Sequence, residues 1–431
     1  MPEPERTPAK GLNLALQGGG SHGAFTWGVL DALLEDGQWT LDGISGTSAG
    51  AMNAVALAHG FAQAAREHVD PLEARQAGAA LARTTLRRLW EGVGALGNMA
   101  WGLPQSQGFA GLPMMATPWL APAQINPFDI NPLRSLLARE VDFELLASQR
   151  KGVPQVFVCA TNVRTGRGEI FAGPRLSADA VMASACLPLM FSAVRIEGEL
   201  YWDGGYSGNP ALYPLIYQTE CSDILLVQIN PIEHLGVPDT MPEIMDRMNE
   251  ITFNASLLAE LRAIEFVRRL LAEGKLDPRR YKNVRMHRID GGAALAPFGA
   301  DSKSRADMSF VRKLFELGRT EGQNWLKAHH QDVGVRPSLN IAASGTYVAI
   351  GEHGQDYSGY GDEKNPGFVA QLAAILTNIM CVVEGAATIN QKAANYAAAR
   401  NDFPPLTRLA IHYGKEGVAT IGESGIRLDT P

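Results

Sequence analysis

The opening of the chain alternates short apolar runs with helical patterns, and this alternation constrains the fold more than any other feature. The run Leu12–Leu16 predicts a buried strand, and Trp39–Ile44 predicts a second one. A helical spacing of apolar residues follows each strand, over residues 25–33 and residues 51–58. Strand–helix–strand–helix order is typical of parallel strands joined by crossover helices. We therefore predict an α/β protein with a parallel sheet wrapped by helices.

The chain beyond residue 130 continues to mix strand and helix patterns. Asn131 followed by Pro132 predicts the start of a helix, because Asn caps helix N-termini and Pro fits the first helical turn. The apolar spacing over residues 241–273 predicts a long amphipathic helix. Further strands are predicted over residues 156–161, 169–172, 199–202 and 224–229, and further helices over residues 66–90, 177–185 and 303–328.

Composition divides the sequence into three parts. Residues 1–9 are rich in Pro and charge, which predicts a flexible tail. Residues 10–335 carry the patterns of one large α/β domain. The character changes near Val333–Pro337, and residues 336–431 are predicted to form a small α+β extension of unknown role. An Ala-rich helix predicted over about 367–400 leaves two roles open, homo-oligomerisation and packing against the main domain.

Composition and charge argue against several classes of protein. The chain has 431 residues, of which 46% are hydrophobic and 19% charged, so a wholly disordered chain is excluded. Its 38 basic and 45 acidic residues give a net charge of −7, which argues against a nucleic-acid partner. The four cysteines are far apart, with no Cys-x-x-Cys pair, which argues against a disulfide framework or a zinc site. We also expect no cofactor.

No segment predicts export or membrane insertion. The N-terminus lacks a basic start followed by an apolar stretch. The most apolar window, residues 367–387, is interrupted by polar side chains and falls short of a membrane span. We therefore expect a cytoplasmic protein, and the alternative of secretion as an effector without a signal peptide stays open.

Two segments are candidates for peripheral membrane contact. Residues 91–130 are rich in Gly, Pro and large apolar side chains, which predicts a non-helical, lid-like segment. This segment either covers an acyl channel, touches a bilayer or packs on the core. Residues 262–288 are strongly basic and include Arg279 and Arg280, so they either bind anionic lipid headgroups or form a solvated face.

Three glycine-containing motifs are candidates for chemistry, and the first joins the first strand to the first helix. Gln17–Gly23 reads Gln-Gly-Gly-Gly-Ser-His-Gly. Glycines allow positive φ and close approach of the backbone, and amides before a helix N-terminus can converge on an anion. The spacing also matches the dinucleotide fingerprint Gly-x-Gly-x-x-Gly. This motif alone leaves anion binding, a dinucleotide site and a plain turn open.

The second motif, Gly46–Gly50, reads Gly-Thr-Ser-Ala-Gly between the second strand and its helix. It matches the nucleophile elbow Gly-x-Ser-x-Gly, in which a sharp turn exposes the serine hydroxyl and the flanking glycines relieve crowding. Ser48 would also stand at a helix N-terminus, where developing negative charge is favoured. The alternative is that Ser48 only caps the helix.

The third motif is Asp203-Gly204-Gly205, directly after a predicted strand. A carboxylate at such a turn either reaches into a cleft or is an ordinary turn residue. The three motifs together fit one mechanism. Ser48 would attack, Asp203 would take the proton, and the amides of Gly18–Gly20 would stabilise an oxyanion.

The ordered set of motifs resembles the patatin-like phospholipase family. Gly-Gly-Gly-x-x-Gly is followed by Gly-Thr-Ser-Ala-Gly, by Ala-Ser-Ala-Cys-Leu-Pro at residues 183–188, and by Asp-Gly-Gly, over about residues 10–330. The resemblance implies a three-layer α/β/α fold and a serine acyl hydrolase for lipid or lipid-like esters, of phospholipase A or lysophospholipase type, without a catalytic His or a metal. Family members often carry Arg or Lys where this chain has His22. The residues that the resemblance implies are the nucleophile Ser48, the base Asp203, the oxyanion loop Gly18, Gly19 and Gly20, and the motif glycines Gly23, Gly46, Gly50, Gly204 and Gly205.

A Ser–Asp dyad raises a problem of acidity. An aspartate in water has a pKa of about 3.9, which is a poor match for a general base at neutral pH. We therefore expect the glycine amides and the helix N-terminus at Ser48 to lower the cost of the alkoxide instead.

Rival functions use other residues. A Ser–His–Asp esterase would need His234 or His287 as its base, although its elbow usually follows several strands rather than the second. His234 is expected to cap a loop, and His287 is expected at a solvent-facing position of a strand. A dinucleotide site conflicts with the Gly46–Gly50 turn, which occupies the path of the cofactor. A catalytically silent lipid-binding or scaffold protein is the third rival.

Overall fold

The chain folds into two compact units, Met1–Asn340 and Ile341–Pro431. The computed structural model describes most of the first unit and three strands of the second. Most of the predicted tail, residues 103–130 of the lid-like segment and the Ala-rich helix lie outside the described residues. The described residues are 9–102, 131–341 except 149, 189, 234–236 and 299, and 409–413, 417–422 and 425–429.

Eight strands of the first unit form one sheet, in the order β5-β6-β3-β2-β1-β7-β8, with β4 paired to β3. Strands β3, β2, β1, β7 and β8 run parallel to their neighbours, whereas β4 and β6 run antiparallel to β3. The predicted mostly parallel sheet is therefore confirmed. The strands are β1 (Lys10–Leu16), β2 (Trp39–Gly46), β3 (Gln155–Asn162), β4 (Gly168–Ala172), β5 (Val194–Ile196), β6 (Glu199–Asp203), β7 (Asp223–Gln228) and β8 (Arg285–Asp290).

Helices cover both faces of this sheet. Consecutive residues of β1 from Leu12 to Leu16 and all of β7 are buried. Because successive side chains of a strand point to opposite faces, such continuous burial requires a layer on each side. The result is the predicted three-layer α/β/α arrangement. The helices are α1 (Gly23–Asp36), α2 (Ala49–Glu67), α3 (Pro71–Gly102), α4 (Pro132–Glu140), α5 (Phe143–Ala147), α6 (Ala178–Ser184), α7 (Tyr213–Tyr217), α8 (Met241–Ala272), α9 (Gly292–Leu295) and α10 (Met308–His329).

The sequence signals at helix starts are confirmed. Asn131 caps α4, where its side chain accepts a hydrogen bond from the Arg134 amide, and Pro132 opens the helix. Ser177 caps α6 in the same way. These local bonds satisfy amides that have no partner within the helix.

The prediction that residues 91–130 are non-helical is wrong for its first part, because α3 continues to Gly102. The glycines of this part are packing positions. A Cβ on Gly92 would lie 2.4 Å from Cδ1 of Leu136, and one on Gly97 would lie 2.1 Å from the carbonyl oxygen of Ala306. Close packing against neighbouring elements therefore outweighs the low helix propensity of glycine, which costs roughly 1 kcal/mol per residue.

The second unit contains a three-stranded antiparallel sheet in the order β11-β10-β9. Its strands are β9 (Leu409–Tyr413), β10 (Gly417–Gly422) and β11 (Gly425–Asp429).

The position of β6 brings the ends of two strands together. Strand β2 pairs with β3 up to Gly46, which lies opposite Val158. Strand β6 pairs with the same strand, with Asp203 opposite Ala160. Because β4 occupies the other edge of β3 over both stretches, β6 lies on the edge that β2 leaves after Gly46. The carboxyl ends of β2 and β6 therefore meet along β3.

Candidate active site

Ser48 occupies a strained turn between β2 and α2. Its backbone has φ 56° and ψ −123°, a conformation that residues with side chains rarely adopt. A Cβ on Gly46 would lie 2.4 Å from the carbonyl oxygen of Gly50, and one on Gly50 would lie 2.1 Å from that of Leu16. Only glycine fits at both positions, so these two residues permit the sharp strand-to-helix turn.

A second serine holds the backbone of Ser48 in place. The Ser48 amide donates a hydrogen bond of 2.9 Å to Oγ of Ser184, which is fully buried at the end of α6. Ser184 belongs to the motif of residues 183–188, yet sequence reasoning missed this contact. The motif showed that the serine was present, but only the fold shows which backbone group it binds.

Asp203, at the end of β6, is buried, with 1% of its surface exposed. Its Oδ1 accepts a hydrogen bond of 2.7 Å from the Gly205 amide, and its own amide donates to the carbonyl oxygen of Cys186 at 2.8 Å. Its Oδ2 is buried and has no hydrogen-bond partner within the described part of the chain. One carboxyl oxygen is thus fixed, while the other keeps its lone pairs for a proton.

Burial raises the pKa of Asp203 to about 7, against the opposing effects of the Gly205 amide and the Ser48 hydroxyl. The Ser48 hydroxyl therefore lies near the carboxyl, although it does not form a hydrogen bond of full geometry with Oδ2. Catalytic contacts are often long before substrate binds. A general base works best when its pKa is near the operating pH. The raised pKa of Asp203 therefore largely removes the mismatch with neutral pH that an aspartate in water would have.

The glycine loop after β1 lies against Ser48 and has two unused amides. A Cβ on Gly18 would lie 2.6 Å from Cβ of Ser48. The Gly18 amide donates a hydrogen bond of 2.7 Å to Oδ1 of Asn209, so this amide cannot serve an oxyanion. The amides of Gly19 and Gly20 have no partner among the described residues. Of the three expected donors, two are therefore available.

Two other motif glycines mark close packing around the site. A Cβ on Gly23 would lie 2.5 Å from Cβ of Ala49, next to Ser48 in the chain. A Cβ on Gly204 would lie 2.1 Å from the carbonyl oxygen of Cys159. These glycines let the first helix and the turn after β6 approach the serine turn closely.

His22, in the same loop, is buried and neutral. Burial lowers its pKa to about 4, and the charge of Lys303 adds to this effect. Its Nε2 lies 2.8 Å from Oγ of Ser302, and its ring packs against Phe298 and Phe310. His22 therefore carries no charge at neutral pH and does not replace a basic residue at this position.

His287 lies away from Ser48. The expectation of a solvent-facing position is wrong, because His287 is fully buried in β8. Its Nε2 lies 3.1 Å from Oδ1 of Asp223, and its Nδ1 lies 3.0 Å from Oγ of Ser338. Asp223, the partner of His287, begins β7, whereas Ser48 follows the carboxyl end of β2. Because β2, β1 and β7 are parallel, Asp223 and Ser48 lie at opposite ends of the sheet. His234 lies outside the described residues.

The basic cluster of residues 262–288 is largely paired with acidic side chains. Arg268 pairs with Glu265 at 2.9 Å, and Arg285 pairs with Asp223 at 2.5 Å. Further pairs join Arg269 to Glu273 and Arg279 to Asp277. This pairing leaves less free charge for anionic headgroups.

None of the helices in the described ranges is long and apolar enough to cross a membrane.

Cys159, in β3, carries a buried thiol. Burial raises the pKa of the Cys159 thiol to about 12, against a weak hydrogen bond with Ser207, so this thiol stays protonated. Within those ranges, no group of three or more His, Cys, Asp or Glu side chains is arranged to hold a metal ion.

Part of the chain matches a known protein family. Residues 14–216 match the sequence model of a family described as patatin-like phospholipase. No curated protein matches the chain. VipD from Legionella pneumophila is 15% identical, with a TM-score of 0.31 over 90% of this chain and 83% of VipD. The complex of ExoU with SpcU, from the type III secretion system of Pseudomonas aeruginosa, gives 16% identity and a TM-score of 0.25 over 92% of this chain and 89% of that chain.

The fold and the turn at Ser48 define an α/β protein with a mostly parallel sheet and a serine at a strand-to-helix junction. Its residues 14–216 are a domain of the patatin-like phospholipase family. Membership of this family implies hydrolysis of lipid esters.

Proposed function

We propose that the chain hydrolyses carboxylic ester bonds of lipids, as a phospholipase A or lysophospholipase, with Ser48 as the nucleophile and Asp203 as the base. One observation carries the proposal: a serine in a strained turn adjoins a buried carboxyl whose pKa is raised to about 7. The family supports lipid esters as the substrate class.

The first step is the attack on the ester. Oγ of Ser48 bonds to the carbonyl carbon while Oδ2 of Asp203 takes the hydroxyl proton. The Gly205 amide holds Oδ1 and thereby orients the carboxyl. The amides of Gly19 and Gly20 donate to the resulting oxyanion, and a donor of this kind typically contributes about 3–4 kcal/mol of transition-state stabilisation.

The later steps return the enzyme to its initial state. Collapse of the tetrahedral intermediate breaks the ester bond, and the proton held by Asp203 passes to the leaving alcohol. Asp203 then takes a proton from a water molecule, which attacks the acyl group on Ser48. Release of the fatty acid returns that proton to the Ser48 oxygen. The sum is one ester and one water converted to an acid and an alcohol, with no cofactor consumed.

A comparison of wild-type protein with Ser48→Ala tests the proposal. Both are incubated with total membrane lipid, and the products are identified by mass spectrometry. We expect fatty acids and deacylated lipids only from the wild type. Phospholipids with different acyl chains at the two glycerol positions report which ester is cleaved.

Covalent labelling provides the control for this experiment. A fluorophosphonate probe should label the wild type and not Ser48→Ala, with equal melting temperatures for the two proteins. Hydrolysis that persists in Ser48→Ala would contradict the proposal, and so would a wild type that neither hydrolyses lipid nor takes the label.

A further inference from the structure

Four buried carboxamide side chains surround the start of the glycine loop. Gln17, Asn209, Asn230 and Asn254 each have 3% or less of their surface exposed. Two of them hold Gly18 at both of its polar groups. Oδ1 of Asn209 accepts from the Gly18 amide at 2.7 Å, and Nδ2 of Asn230 donates to the Gly18 carbonyl oxygen at 2.6 Å.

The rest of the network fixes these two side chains. Oε1 of Gln17 accepts hydrogen bonds of 2.9 Å from the backbone amides of Ile229 and Asn230. Nε2 of Gln17 donates to the carbonyl oxygen of Asn209 at 3.2 Å and to Oδ1 of Asn254 at 3.0 Å. The network thus joins the ends of β1 and β7 to α8 and to the segment after β6. A buried network with its groups satisfied is rigid.

The direction of the Gly19 amide follows from this anchoring. In a trans peptide, the C=O of one residue and the N–H of the next point in opposite directions. The Gly18 carbonyl points into the network toward Asn230, so the Gly19 N–H points away from it. Because Gly18 packs directly on Ser48, this peptide begins beside the proposed nucleophile.

We infer that Asn230, supported by Asn209, is a positioning residue that aims the Gly19 amide at the oxyanion. The inference rests on the proposed function. Glycine has the least restricted backbone of any residue, so a free glycine loop would sample many orientations of this amide. Hydrogen-bond donors stabilise a transition state only when they are already oriented. The carboxamide network supplies that orientation without touching the substrate.

Asn230→Asp tests the inference, because it keeps the shape of the side chain and replaces the donating NH2 by an oxygen. We expect kcat for ester hydrolysis to fall by at least about tenfold. The upper limit is the roughly 10²–10³-fold loss in kcat that follows complete removal of an oxyanion donor. KM should change little, because the lost interaction acts in the transition state. The rate of fluorophosphonate labelling at Ser48 should fall by a similar factor. Asn230→Ala, which also lacks the donor, should show the same pattern and keeps the test valid if the first variant does not fold.

Asn13, in β1, provides a matched control. It is fully buried, and its Nδ2 donates to Oγ1 of Thr219 and to the carbonyl oxygen of Cys221, each at 2.9 Å. These contacts lie at the opposite end of β1 from the glycine loop. Asn13→Asp and Asn13→Ala should lower the melting temperature as the Asn230 variants do, while kcat stays near the wild-type value.

Two failures of this experiment are distinguishable. If the Asn230 variants lose melting temperature but keep kcat and labelling rate, or if the Asn13 variants lose kcat equally, the inference is overturned and the proposed function stands. If the wild type shows no Ser48-dependent hydrolysis, the proposed function is overturned and the inference falls with it.

Discussion

At the scale of single residues, the burial of Asp203 governs both reactivity and stability. The carboxyl has a pKa of about 7 in the fold, against an ordinary value of 3.8, because burial penalises its charged form. A raised pKa in the folded state means that the fold binds a proton more tightly than the unfolded chain does. Stability therefore falls as pH rises from about 4 to about 7, while the base becomes active over the upper part of the same range.

The first prediction concerns the pH dependence of the reaction. For a soluble ester substrate, kcat/KM should rise with pH and level off above about 7, because only the ionised carboxyl of Asp203 can take a proton. Steady-state rates between about pH 5 and pH 9 measure this profile. A midpoint near that of an aspartate in water, seen as rates that are already level at about pH 5, would contradict the raised pKa of Asp203.

The second prediction concerns stability. Asp203→Asn should abolish hydrolysis and stabilise the fold at pH 8 more than at pH 5, because the wild type carries a buried charge only at the higher pH. The two effects should differ by roughly 3 kcal/mol, at about 1.4 kcal/mol per pKa unit. Urea unfolding of both proteins at the two pH values measures this difference. The amide keeps an acceptor for the Gly205 N–H, so a pH-independent effect would contradict the assigned pKa.

At the scale of elements, most strands and helices of the first unit follow from local sequence patterns. The predicted β1, β2, β3, β4, β6 and β7 and the helices α6, α8 and α10 are confirmed with small differences at their ends. The end of α3 was missed because several glycines there suggested a loop. Their small size serves packing, as the contact of Gly97 with Ala306 shows. Helix propensity is a local property, and it cannot reveal which residues face a neighbouring backbone.

The third prediction tests this explanation of α3. Gly97→Ala should destabilise the fold by about 1–3 kcal/mol through overpacking, although alanine has the higher helix propensity. Ala95→Gly, at an exposed position of the same turn, should cost about 1 kcal/mol, as expected inside a helix. Chemical denaturation measures both changes. Stabilisation by Gly97→Ala would contradict the close packing, and no effect of Ala95→Gly would contradict the helix.

At the scale of the whole molecule, a buried charge cluster at the other end of the sheet ties the first unit together. Asp223, at the start of β7, binds Arg285 and His287 of β8 and accepts a hydrogen bond of 2.9 Å from the Gly334 amide. Burial would raise the pKa of Asp223, but the hydrogen bonds from His287 and Arg285 outweigh it and hold the pKa below its ordinary value. The cluster connects the sheet to the segment that follows α10.

The fourth prediction concerns this cluster. Asp223→Ala should cost about 3–5 kcal/mol of stability near neutral pH, because it leaves the Arg285 guanidinium without its partner. Because the fold lowers the pKa of Asp223, the contribution of this carboxylate to stability is complete above about pH 4 and is lost as pH falls below that value. The variant and the wild type should therefore become similar in stability in acid. Glu273→Ala, which breaks an exposed ion pair with Lys275, should change stability far less. Similar losses for both variants would contradict the role of the cluster.

The sequence by itself determined the class of fold, the elements that carry Ser48 and Asp203, and the order of the three glycine motifs. Those properties depend on neighbours in the chain: apolar spacing, caps and glycines at turns. Tertiary structure alone decided that β6 lies on the edge of β3 that β2 leaves, which brings Asp203 to Ser48. It also decided that Asp203 is buried deeply enough for a pKa of about 7 and that Asn209 occupies the Gly18 amide. The physical reason is that desolvation and hydrogen bonding depend on groups far apart in the chain, and no local pattern records which of them will meet.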